Sequence, residues 1–124
     1  MTDSWTIRLP YTTPPLTSNQ RLHWRAEYAL KKALRDAVRV GLWREKVTPC
    51  ESAHVVLVYV PRDSRRRDSH NLVPTVKVAV DALVSCGVLA DDTPEFLSES
   101  MPVIAEPDPK DPHLRLEITR GKKS

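Results

Sequence analysis

Hydrophobic and polar positions alternate at the start of the chain, where Thr6 and Arg8 separate Trp5, Ile7 and Leu9. A period of two sends successive side chains to opposite faces of a strand, so the pattern predicts a first strand with one wet face. The stretch LPYTTPPLTSNQRLHW holds three prolines and several turn formers. Proline lacks the backbone donor a helix needs, so an extended loop should follow, carrying Asn19, Arg21 and His23 outward. From about Arg25 to Trp43, Ala26, Leu30, Ala33, Ala37 and Val40 return at helical spacing, with Lys31, Lys32, Arg35 and Arg39 on other faces. That spacing predicts an amphipathic helix. The run AHVVLVYV, 53–60, is β-branched and almost continuously apolar, which suits a central strand covered on both faces.

Helical spacing returns after Pro74 in Val76, Val80, Leu83 and Val84, and Gly87 stands where a left-handed cap would end the helix. A second helix is therefore expected from about Pro74 to Ser85. Lys77 and Asp81 share a face of it, four residues apart, and an intrahelical ion pair is the plain expectation for them. The segment GVLADDTPEF places Asp91 and Asp92 in or beside a turn, and a third strand is expected around Ser98 to Ile104. A proline-rich connection, AEPDPKDP, leads to Leu114, Leu116 and Ile118, which alternate with polar residues as a last strand before the basic tail RGKKS. The order β-α-β-α-β-β predicts one small domain over 1–124, of the α/β (α+β) class, with a mixed sheet packed by two helices.

Composition narrows the function classes. A length of 124 residues suits one self-sufficient core. Nineteen Lys+Arg against sixteen Asp+Glu give a formal charge of +3, which favours an anionic partner such as nucleic acid. Cys50 and Cys86 have no metal-ligand spacing and no disulfide framework, as expected of reduced cytoplasmic thiols. No secretory h-region follows Met1, and the apolar runs fall well short of the roughly 20 residues of a membrane helix. A soluble cytoplasmic protein without a membrane partner is the expectation. The three Trp and one Phe are readily used as core, and no stacked aromatic RNA-binding motif stands out.

Most chemistry is concentrated in RRRDSHNLVPTVK, residues 65–77. Runs of Arg and Asp are usually solvated surface. Here the run leaves a rigid buried strand, and Asp68 is expected to meet Asp91 and Asp92 at one end of the sheet. Carboxylates a few ångströms apart raise one another's pKa unless a divalent cation neutralises them, and hard oxygen donors suit magnesium or manganese. Lys77 and Arg65 to Arg67 would then face a phosphodiester that the metal polarises.

The stretch RRRDSHNLVPTVKVAVDALVSCGVLADDTPEF resembles the signature of the RusA-type Holliday junction resolvases: an Arg-rich strand exit, then D-x-D-N-L, a Lys, D-x-L, a Gly and a terminal D-D. The N-terminal PPLTSNQR and the Met101–Pro102 pair fall in the same order, so the resemblance covers nearly the whole chain. It implies a homodimeric, magnesium-dependent endodeoxyribonuclease, with manganese able to replace magnesium, that recognises four-way DNA junctions by shape and nicks two opposed strands. Carried over residue by residue, it implies that Asp68, Asp92 and Lys77 are catalytic and that Asp68, Asp91 and Asp92 hold metal. Arg65, Arg66 and Arg67 would position the DNA backbone, with Asn71, Asn19 and Arg21 beside them. There are two departures. The spacer LVPTV before Lys77 is longer than the commonest family form, and His70 stands where the pattern has its second aspartate. Imidazole can ligate a divalent metal, and His70 is accordingly expected in the metal shell. The alternative is a weakly active or non-catalytic junction-binding protein of the same fold. A generic basic module for RNA or protein would leave the acid turn unexplained.

Overall fold

A computed structural model describes residues 3–121 of the chain, so Lys122, Lys123 and Ser124 of the expected basic tail lie outside the described residues. The fold is α+β, two helices on a mixed five-stranded sheet. Strand β1 (Ser4–Leu9) leads through a long loop to helix α1 (Trp24–Arg44), and β2 (Ala53–Val60) leads through a single 3-10 turn, Ser69–Leu72, into α2 (Val73–Ser85). Short strands β3 (Leu97–Glu99) and β4 (Val103–Ile104) precede β5 (His113–Arg120).

Across the sheet, β5 lies between β1 and β2 and runs antiparallel to both, while β3 and β4 continue beyond β2, parallel to it. Strands β1 and β2 therefore point the same way, and each is followed by a helix that returns to start the next parallel strand. Right-handed crossovers that step in one direction place both helices on one face, and α1 packs on α2 and β1 there. The alternation of β1 follows directly, with Trp5, Ile7 and Leu9 buried under the helices and Ser4, Thr6 and Arg8 in water. Strand β2 alternates only in its first half, and Leu57 to Val60 are all buried.

The expected third strand is broken in two. Val55 still accepts a hydrogen bond from the Ser100 backbone at 3.4 Å, but Pro102 has no donor to continue the ladder. The buried stripe of α1 also differs from the expected one. Leu34, Val38, Gly41 and Leu42 are buried, Leu30 and Ala37 half-buried, and Ala26, Ala33 and Val40 exposed. Alanine buries little area, so it does not choose a face; the larger Leu and Val side chains do. Gly41 is required where α1 crosses β1, because a Cβ there would collide with the Ile7 side chain. Among the tryptophans only Trp5 joins the core, and Trp24 and Trp43 are 66% and 82% exposed, against the expectation that all three would be used there.

Helix α2 ends as its glycine predicts. Gly87 has φ +80, its N–H reaches the Val84 carbonyl at 3.0 Å, and the Val88 N–H reaches Leu83 at 2.9 Å. At the other end of α2, Thr75 is the one buried polar residue among those described, fully shielded, and its hydroxyl donates to the Leu16 carbonyl at 2.7 Å. The bond ties the long β1–α1 loop to the helix. Thr75→Val keeps the shape and removes the donor, leaving a shielded carbonyl unsatisfied, at a cost of about 1–3 kcal/mol. Urea unfolding should show a lowered midpoint at unchanged slope; an unchanged midpoint would mean that another group satisfies Leu16.

Candidate functional site

The carboxyl ends of parallel strands are where an open α/β sheet leaves a crevice. At that end of β1 and β2 the chain brings together the loop 10–23 and the arginine-rich segment 61–68. The Ser18 N–H bonds to the Asn71 carbonyl at 3.1 Å, so the two loops are joined directly as well as through Thr75. Between them lies an open cleft of about 910 Å³, to which Asn19, Arg66, Asp68, His70 and Asn71 contribute over a floor that includes Tyr59 and Leu72. A second cleft of about 760 Å³ lies beside the first and holds Arg21, Lys31 and Lys77. Thr17 lines both, so the loop is the wall between them.

Asp68 caps the 3-10 turn that starts α2, accepting the His70 backbone N–H at 3.0 Å and facing the His70 ring nitrogen Nδ1 at 3.2 Å. The backbone donor, then the ring, hold its carboxyl below the ordinary range, and the charge of Arg66 adds to the effect. Both side chains face solvent, so an entering ligand meets them without rearrangement of the core.

The three arginines do not share one role. Arg67 is half-buried, with its guanidinium 5.7 Å from the centre of the Tyr59 ring. It donates to the Asp63 carboxylate at 2.8 Å, the Asp63 carbonyl at 2.9 Å and the Arg65 carbonyl at 2.7 Å. Three of its five N–H donors are used by the loop itself, so Arg67 shapes the loop while still lining the first cleft. Arg65 approaches Asp63 at 3.5 Å with its side chain 70% exposed. Arg66 makes no hydrogen bond or ion pair among the described residues and lines the first cleft. Asp63, Tyr59 and Thr75 are the organising residues that the sequence reading passed over. The spacing of Asp63 was a usable signal, because its side chain accepts the Arg65 N–H at 3.1 Å in the local turn that Asp favours.

The acids do not meet within one chain. Asp68 precedes α2, whereas Asp91 and Asp92 follow it, where Cys50 N–H bonds Val88 and Ala53 N–H bonds Phe96 at the start of β2. Thirteen helical residues at about 1.5 Å each separate the two ends by roughly 20 Å. Asp91 accepts the Asp92 N–H at 2.8 Å in a turn of its own. Among the described residues no group of three or more His, Cys, Asp or Glu is placed to share a cation. Within one chain Asp68 and His70 stand together at one end of α2 and Asp91 and Asp92 at the other, so the expected set of Asp68, His70, Asp91 and Asp92 is not assembled among the described residues. Lys77 is exposed in the second cleft and forms no ion pair with Asp81 among the described residues.

Neither protein-family models nor curated proteins give a match to this sequence. Among the described residues no helix is long and apolar enough to cross a membrane.

Arg67 holds the Asp63 carboxyl below its usual range, with the Arg65 backbone donor second. A lowered folded-state pKa stabilises the fold above the unfolded value of about 3.9, and the contribution is lost as pH falls through the folded one. In Arg67→Met the Asp63 titration, followed by carboxyl NMR shift, should move up toward that ordinary value. No movement would remove Arg67 from the organising role.

Proposed function

We propose that the chain is a structure-selective endodeoxyribonuclease that acts as a homodimer on four-way DNA junctions. The observation that carries this reading is the convergence of Asn19, Arg66, Asp68, His70 and Asn71 in one open cleft, with Arg21 and Lys77 in the cleft beside it. The cleft is open, and exposed cations around a carboxylate suit a phosphate backbone, which attracts protein through charge before any base is read. Arg65 and Arg66 would take up the backbone, and Asn71 and Asn19 would line its path.

Because one chain separates its acids, the metal chemistry that the resemblance implies needs two chains. A two-fold contact is isologous: if the Asp68 end of one protomer meets the Asp92 end of its partner, the reverse contact forms at the same time. Two composite sites result, matched to the near two-fold symmetry of a junction. Magnesium or manganese held there would polarise the scissile phosphate. Lys77 would supply positive charge toward that phosphate.

A second reading is favoured by a specific observation, the absence of a three-donor group among the described residues of one chain. It is a junction-binding protein of the same fold with little or no cleavage, His70 having taken the place of a carboxylate.

Asp68→Asn and Asp92→Asn should each abolish nicking of a four-way junction while leaving its gel shift nearly intact. Mixing and re-equilibrating the two inactive variants is the sharper experiment. Heterodimers then carry one doubly changed and one wholly intact composite site, so nicking should return to about one quarter of the wild-type site count with random pairing. No recovery on mixing removes the composite site. No nicking by the wild type with either metal, alongside selective junction binding, leaves the non-catalytic reading.

A further inference from the structure

Two aromatic side chains at the start of α1 stand in water, Trp24 at 66% and Tyr28 at 60% exposed, with Leu22 beside them at 39%. Four residues apart, they share one face of the helix, one above the other. Large aromatic rings grouped in water, unlike singly scattered apolar residues, invite a partner. Its surroundings say what kind. Between residues 21 and 35 the chain carries five cations, Arg21, Arg25, Lys31, Lys32 and Arg35, against the single acid Glu27, which Lys31 already engages at 3.3 Å. Arg25 lies 5.2 Å from the centre of the Trp24 ring, and the His23 ring lies 5.7 Å away, tilted by 30°. The cleft of about 760 Å³ between α1 and α2 adds Lys77 beside Lys31 and Arg21, over Val73 and Pro74.

The sign of the charge selects the occupant. A second copy seated here by two-fold symmetry would set the patch against itself, cation against cation. A polyanion is attracted by the same charges. Among polyanions, a duplex hides the faces of its bases in the stack, whereas an unpaired strand offers them to aromatic rings while its phosphates follow the cations.

We infer that this face binds an unpaired nucleic-acid strand, its bases stacking on Trp24 and Tyr28 and its phosphates following Arg21 and Lys31. The site lies on the helical layer, separated from Asp68 by the loop wall at Thr17, and it stands whether or not the chain cuts DNA. On a branched substrate it would hold a strand that has left its duplex.

The test uses the full chain without divalent cation and a fluorescent oligothymidylate of about ten nucleotides, within the range one such groove spans. Binding is read by anisotropy against a duplex of equal length. Trp24→Ala and Tyr28→Ala should each weaken oligothymidylate binding by about fivefold or more. Trp24→Phe should retain most of it. Lys31→Ala should lower the slope of log affinity against log salt by about 0.7, the loss of one phosphate contact on a single strand. In a Trp43→Phe background, where Trp24 is the remaining exposed tryptophan, the oligonucleotide should quench the emission. Unchanged affinity in Trp24→Ala, or absence of quenching, overturns the inference. So does conversion of an oligomer to a monomer by Trp24→Ala, which would make the face a contact between copies. Because the readout is metal-free binding, loss of nicking leaves this result untouched, and failure here with nicking intact leaves the nuclease reading standing.

Discussion

One shielded hydrogen bond, from the Thr75 hydroxyl to the Leu16 carbonyl, holds the cleft-bearing end of this molecule in shape. The loop it anchors is irregular, tied to β5 where Tyr11 accepts the Leu114 N–H at 3.2 Å, and a carbonyl taken out of water needs a donor. With Leu16 buried beneath it, the loop stands upright between the helices and the arginine-rich segment. Thr17 of that wall lines both clefts. The same region shows how a small fold fixes polar loops at modest cost: a single satisfied polar group in the core, with Ser18 and Asn71 joined at the rim.

The second organising centre is electrostatic. Asp63 gathers Arg62, Arg65 and Arg67 around one carboxylate, and the Tyr59 ring beneath Arg67 ties the group to the end of β2. Four basic residues in six positions would otherwise repel one another and splay. Both Arg66 and Arg67 line the cleft, but Arg67 is held by Asp63 over the Tyr59 ring, so the division of labour between the two is set by which one reaches the aromatic ring.

Much of the fold was legible because period-two and continuous apolar runs report burial directly. Strands β1, β2 and β5 belong to this class, and the Gly87 cap was legible from the glycine itself. The face of α1 was misread because its alanines lie on several sides and bury little wherever they point; the four-residue series Leu30, Leu34, Val38, Leu42 was the better guide. The meeting of Asp68 with Asp91 and Asp92 within one chain was an error the element order already contained. A helix that links two parallel strands is a ruler, and groups before and after it lie a helix length apart. The Arg67 contact with Tyr59 was not legible, since it depends on how a loop folds back over the strand it has just left.

The broken strand at Pro102 reaches beyond the local ladder. On that border the sheet shows pieces of three and two residues, too short and too interrupted to template another chain, whereas β1 on the opposite border is a regular six-residue run. A sheet with a single usable border can join a copy of itself only border to border, and that union consumes the border on both molecules. Growth by strand addition would therefore stop at two, and the route by which such a sheet would thread into a fibre is narrowed by one proline.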